Sequence, residues 1–244
     1  LSEVHEPEDL DFIKSILFAS EIKEDIAKTI LDDQKYKTLW IDEISNLKES
    51  LIVYLIDKKN IDFSVERFKN IISAHNNLFS QLLKQYAKEV TDHLEEFAFS
   101  TDNLLIILNW SEYLTYKQKI VGAINENSVT TATQANKLLD YYMSPDSILE
   151  ENLYYKALEL SDDPLKKMSA SIEFINRNVL SADDYNRYFS LMGDGFESLC
   201  SPGETFIIEK SPEAETFINL LDSKGILGHR SDTKTEFKAY VKKL

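Results

Sequence analysis

Leu108-Asn-Trp-Ser111-Glu112 and Leu158-Glu-Leu-Ser161-Asp162 are one phrase written twice, 50 residues apart. Each precedes a segment of helical period. Those segments end alike, in Ile124-Asn-Glu-Asn127 and Ile175-Asn-Arg-Asn178. A hydroxyl residue, Thr131 or Ser181, then opens a second helix, again at a spacing of 50. A looser copy, Leu17-Phe-Ala-Ser20-Glu21, stands near the N-terminus. Self-similarity at a fixed period marks units that cannot bury their apolar faces alone and must stack. The expected fold is therefore mainly α, with tandem helical hairpins in an α-solenoid-like array over residues 1–195. Ser111, Thr131, Ser161 and Ser181 are its expected helix caps.

Composition agrees. Six Gly and five Pro in 244 residues are too few for the turns of a sandwich or barrel. Apolar residues make up 43%, enough for a sizeable core. The net charge of −15 disfavours nucleic acid as a partner of the whole chain, because phosphate binding needs clustered Lys and Arg. The charge is uneven. Residues 1–209 carry 20 basic against 37 acidic side chains, a net of −17, whereas residues 210–244 carry 7 against 5, a net of +2.

Cys200 is the one cysteine, so no intrachain disulfide can form, which suits a cytoplasmic setting. No apolar run approaches the roughly 20 residues that span a bilayer. The chain opens on the acidic Leu1-Ser-Glu-Val-His-Glu-Pro-Glu without an initiator Met. We read it as a piece of a larger protein, or a processed one.

Helices are expected over 8–18, after Ser20, around Leu39 to Ile44, over Leu47–Asp57 and after Ser64. Residues 76–99, with Leu78, Leu82, Leu83, Tyr86, Val90, Leu94 and Phe97 every three or four positions, predict one long helix. Thr131 and Gln134 match a capping box. Beyond Gly193-Asp-Gly195, a plain connector, the pattern changes. Glu204–Glu209 alternates and predicts a strand. Ser211-Pro212 starts a helix that ends at Gly225. Ile226–Arg230 and Glu236–Lys242 predict two more strands with a turn near Asp232. Residues 196–244 thus form an expected small α+β, winged-helix-like cap.

Catalytic signatures are missing. There is no phosphate-cradling glycine loop and no paired-histidine metal motif. His93, with Glu89 and Glu96 on one helix face, has ligand spacing but lacks a second histidine nearby, so a solvated face is expected instead of a metal. Cys200 with His229 has no flanking nucleophile signature. Arg230, Lys234, Lys238, Lys242 and Lys243 give the tail a weak basic stripe that a nucleic-acid-contacting wing would use. No cofactor and no metal is expected. The remaining candidates are aromatic: Tyr141, Tyr142, Tyr154 and Tyr155 as an interaction surface, since tyrosine joins contact area to a polar tip. The competing account is that they form a packed seam between repeats.

The Ile-x-x-Asn phrase, the hydroxyl caps and the Leu-Leu or Tyr-Tyr helix ends resemble the C-terminal helical region of large bacterial YobI-like P-loop NTPases. The ending Phe217-Ile-Asn-Leu-Leu-Asp-Ser-Lys-Gly-Ile226 and Phe237-Lys-Ala-Tyr-Val-Lys-Lys243 resembles how such chains finish. The likeness covers about residues 45–244. It implies a sensor or assembly arm attached to an ATPase whose nucleotide site lies elsewhere, and it carries over no functional residue. The expected function is a non-catalytic protein-interaction module, partnered by another protein or by the rest of its own polypeptide. The alternatives are a nucleic-acid-binding regulator acting through the cap, and an enzyme working through carboxylates on the helical face.

Overall fold

The computed structural model describes residues 7–19, 21, 23–178 and 205–242. Ser20, Ser181, Gly193, Gly195, Cys200 and Lys243, all invoked above, lie outside them. The protein is mainly helical, with a small three-stranded antiparallel sheet at its C-terminal end. It divides into two compact units, one made of residues 1–99 and 109–116, the other of 100–108 and 117–244.

The first unit holds α1 (Pro7–Leu17), α2 (Glu24–Asp32), α3 (Glu49–Asp57), α4 (Val65–Ala74), α5 (Phe79–Gln85), α6 (Ala87–Asp92) and α7 (Leu94–Phe97). The expected helix around Leu39 to Ile44 is instead two 3-10 segments, Gln34–Leu39 and Ile41–Asn46. α3 is the buried helix that its apolar run predicts, with Leu51, Ile52, Leu55 and Ile56 in the core. Ser64 caps α4 by accepting the Arg67 N–H.

The long helix expected over 76–99 does not form. The backbone leaves helical geometry at Tyr86 (φ −118°, ψ 36°) and again at His93 (φ −125°, ψ 25°). Both residues hold tertiary contacts. The buried Tyr86 hydroxyl accepts the Ile61 N–H at 3.1 Å, and the His93 ring packs 5.1 Å from Phe63. Periodicity finds the apolar face but not a bend that repeats it from a new origin. The bent run closes at Ala98, in the left-handed region at φ 51°.

The second unit holds α8 (Thr101–Ile107), α9 (Lys117–Gly122), α10 (Ala132–Tyr142), α11 (Glu151–Leu160) and α12 (Pro164–Arg177). Thr131 forms the full capping box with Gln134. Two expected caps take other roles. Ser111 opens a 3-10 turn, Ser111–Tyr116, whose Tyr113 is buried in the first unit and donates its hydroxyl to the Leu83 carbonyl at 2.7 Å. Ser161 ends α11, and Asp163 caps α12, accepting the N–H groups of Leu165 and Lys166. With Pro164 following, a carboxylate at that position serves the helix start better than a hydroxyl two residues earlier.

The cap elements are β1 (Thr205–Glu209), α13 (Pro212–Ser223), β2 (Leu227–Asp232) and β3 (Glu236–Val241). They belong to the second unit. β3 lies in the middle, antiparallel to both neighbours. Ser211 caps α13, and Gly225, at φ 72°, turns the chain out of it. Phe217, Ile218 and Leu221 of α13 and Phe237 and Ala239 of β3 are buried. A bulge between Leu227 and His229 sets Gly228 against the Tyr240 ring.

Candidate functional site

All four tyrosines singled out as a recognition surface are buried in the second unit. Tyr142 lies 4.9 Å from Tyr154, which stacks on Phe174 at 4.4 Å with the rings nearly parallel. Tyr155 meets Phe174 edge-on at 5.6 Å. Tyr141 donates its hydroxyl to Gln118 at 3.0 Å. Burial pushes the hydroxyls of Tyr141 and Tyr142 above the ordinary tyrosine range. The Arg177 guanidinium lies 4.8 Å over the Tyr142 ring, and its nitrogens donate to the carbonyls of Ser144 and Ser147 and to the Ser147 hydroxyl. It thereby fixes the turn that carries Asp146 at φ 59°.

A second arrangement has little signal in the sequence. Side chains join helices through pairs that lie 22 to 32 residues apart in sequence. Glu24, in the first turn of α2, accepts from Lys48 and Ser50 at 2.9 Å each. Asp32, in its last turn, accepts from Tyr54 and Lys58 at 2.7 Å each. α3 repeats the pattern one step on. Its Glu49 accepts from Asn77 at 2.6 Å and its Asp57 from Gln81 at 2.8 Å. Partners advance together along the chain, so α2, α3 and α5 run parallel as a row. The 3-10 segment Ile41–Asn46 and α4 are matched likewise, through Asp42 with Arg67 at 3.1 Å and the Ser45 carbonyl with His75 at 3.0 Å.

The second unit has its own row. Asp102 of α8 accepts from Gln134 of α10 at 3.0 Å, and Asp140 of α10 accepts from Lys166 of α12 at 2.5 Å. The signal in the sequence was a 25-residue echo, Lys23-Glu24 with Asp32 and Lys48-Glu49 with Asp57. It is half the period of the louder phrase and has no shared apolar spelling.

These carboxylates are shaped for holding helices. The Lys48 contact holds Glu24 below the usual carboxylate range, and Lys58 does the same for Asp32. In the cap, Arg230 holds Asp232 down. Arg230 also donates to Asn219, and Lys242 donates to the Gly225 carbonyl, so two members of the basic stripe are engaged within the cap. His93 Nδ1 lies 2.6 Å from Glu96. Among the described residues no group of three His, Cys, Asp or Glu side chains converges as metal ligands would, and no helix is long and apolar enough to cross a membrane. A shallow open groove of about 280 Å³, lined by Met143, Ser169, Ile172, Glu173, Pro212 and Thr216, runs between α12 and α13. No family model, no curated protein and no solved structure matches this chain.

Proposed function

We propose that this chain is a non-catalytic protein-interaction module that acts as an arm of a larger cytoplasmic assembly. The observation that carries this is the row of parallel helices, each tied to the next by side chains that advance together along the sequence. Such rows are how α-solenoid-like arrays of helical hairpins grow, and arrays of that kind serve as extended binding surfaces. The polar chemistry supports the same reading. The carboxylates with lowered pKa at Glu24, Asp32 and Asp232 are held by donors, and a catalytic acid or base would instead sit in a cleft with its pKa brought toward neutrality. The cap, with β1, one helix and a hairpin whose second strand is central, has the order of a winged unit shortened by a helix. We read it as the closing element of the array. The likeness to the helical arm of YobI-like P-loop NTPases fits an arm of this kind.

The test is cross-linking with mass spectrometry on the chain immobilised in an extract of its own cells. A partner retained in stoichiometric amount and displaced by excess free chain is expected. Retention of no such protein, together with saturable turnover of a small molecule by the isolated chain, would overturn the proposal.

A further inference from the structure

Among the described residues the first unit's row begins at α2, and one face of α2 differs from the corresponding face of α3. α2 and α3 are equivalent helices. Both have nine residues, both have Lys at the N-cap, and both carry Glu first and Asp last. Positions 25 apart can therefore be compared directly. Ala27 and Ile52 are both wholly buried, as are Leu31 and Ile56 to within 1%. The pair Ile26 and Leu51 breaks the rule, for Leu51 is 0% exposed and Ile26 is 48% exposed.

On α3 the residues beside Leu51 are Ser50, Tyr54 and Lys58, and these donate backward to the carboxylates of α2. The α2 counterparts are Asp25, Thr29 and Asp33. Two donors are replaced by acids, and the Thr29 hydroxyl donates to the Asp25 carbonyl of its own helix at 2.9 Å. Asp33 accepts the Lys35 N–H and pairs with the Lys35 ammonium at 3.4 Å, while Lys28 of α2 pairs with Glu24 at 3.6 Å. Exposed Asp9, Asp11 and Glu21 add negative charge in the neighbouring α1 and its link to α2, against exposed Lys23.

We propose that this face of α2 docks a basic amphipathic helix of a partner protein. The inference rests on the interaction-module reading and names its partner's chemistry. Continuity of the row sets the geometry. The incoming helix runs parallel to α2, covers Ile26 with an apolar residue so that it is buried as Leu51 is on α3, and presents Lys or Arg eight residues apart to Asp25 and Asp33. A further helix of the array's own kind is disfavoured, because its Glu and Asp, also eight apart, would meet Asp25 and Asp33 as like charges. A helix-in-groove mode with charged flanks gives binding that salt weakens.

The experiment uses the whole chain and a panel of blocked, fluorescein-labelled helical peptides. Each peptide carries an apolar stripe in a different register and a Lys or Arg pair eight residues apart, and a counter-set carries Glu instead. Fluorescence anisotropy should show micromolar binding of the basic set that weakens with salt, about tenfold tighter than the Glu set. Ile26→Asp and Asp25→Lys, both at exposed positions, should each weaken it by about tenfold while leaving the circular dichroism melt unchanged. The proposal fails if no basic peptide binds, if the Glu set binds equally well, or if Ile26→Asp leaves the affinity as it was. It also fails if sedimentation shows self-association that Ile26→Asp abolishes, for then a second copy covers the face. A partner captured by cross-linking whose retention ignores Ile26→Asp would preserve the module reading and sink this one.

Discussion

Arg67 shows how single side chains hold adjacent helices in place. Its Nε donates to the Ile41 carbonyl at 3.0 Å, Nη1 to the Asp62 carbonyl at 2.7 Å and Nη2 to Asp42 at 3.1 Å. A planar fork serves three acceptors in three directions, and an ammonium does not. Arg67→Lys should therefore cost ~1–2 kcal/mol in urea unfolding, by the usual worth of hydrogen bonds to a charged group. An unchanged midpoint would contradict this. Ala98 offers the reverse case. It is exposed, ends α7 and sits at φ 51°, where a Cβ is strained. Ala98→Gly should raise stability by ~1 kcal/mol. At Gly228 a Cβ would stand 2.5 Å from the Tyr240 ring, so Gly228→Ala should destabilise the sheet, read as loss of amide protection in β2 and β3. Of these three residues the sequence signalled none, because left-handed turns, bulges and forked donors depend on neighbours distant in the chain.

At the scale of elements, α3, α10 and α13 were legible. Their apolar period, capping residues and stops agree with one another, and each forms within a few residues of its expected bounds. The 76–99 run was misread because its bends sit at Tyr86 and His93, ordinary helix formers held out of line by tertiary contacts. The place of the tyrosines was not legible, since an aromatic pair on a helix looks the same to a neighbouring repeat as to a partner, and all four are buried. The carboxylate rows yield a prediction of their own. Asp32 and Asp57 end their helices, where the macrodipole disfavours a negative charge. Their cross-helix donors offset that cost. The Lys58 ammonium and the Tyr54 hydroxyl hold Asp32 below the ordinary 3.8, so its folded pKa is depressed. Stability from this contact is present above that ordinary value and is lost as pH falls through the folded pKa. The stability advantage of the native chain over Asp32→Asn should thus be present at neutral pH and shrink in acid, and it should fall with added salt because the pair is exposed. A difference that stays constant from neutral pH into acid would refute the assignment.

At the scale of the molecule, the last prediction concerns the cap. α13 packs beside α12 in the second unit, with Pro212 and Thr216 facing Ser169, Ile172 and Glu173 across the groove. Its other side, with Phe217, Ile218 and Leu221, is buried together with Phe237 and Ala239 of the sheet. Two consequences follow from one element serving two neighbours. Removing residues 204–244 strips α12 of cover over Ile172, and a newly exposed apolar strip on a helix is a site for association. It also removes the packing of a helix against α12, and contacts of that size are commonly worth several degrees in a protein of this length, by the relation of ~1 kcal/mol to about 2–4 °C. The truncated chain should therefore melt several degrees lower and aggregate with concentration in light scattering. Replacing Phe217 by Ala in the full chain separates the two effects. It should loosen the sheet from α13, losing ~3–5 kcal/mol locally as large aromatic truncations do, yet leave α13 over Ile172 and keep the protein monomeric. If the truncated chain stays monomeric with an unchanged melt, the cap contributes nothing to the unit it packs against, and its role must lie with a partner instead.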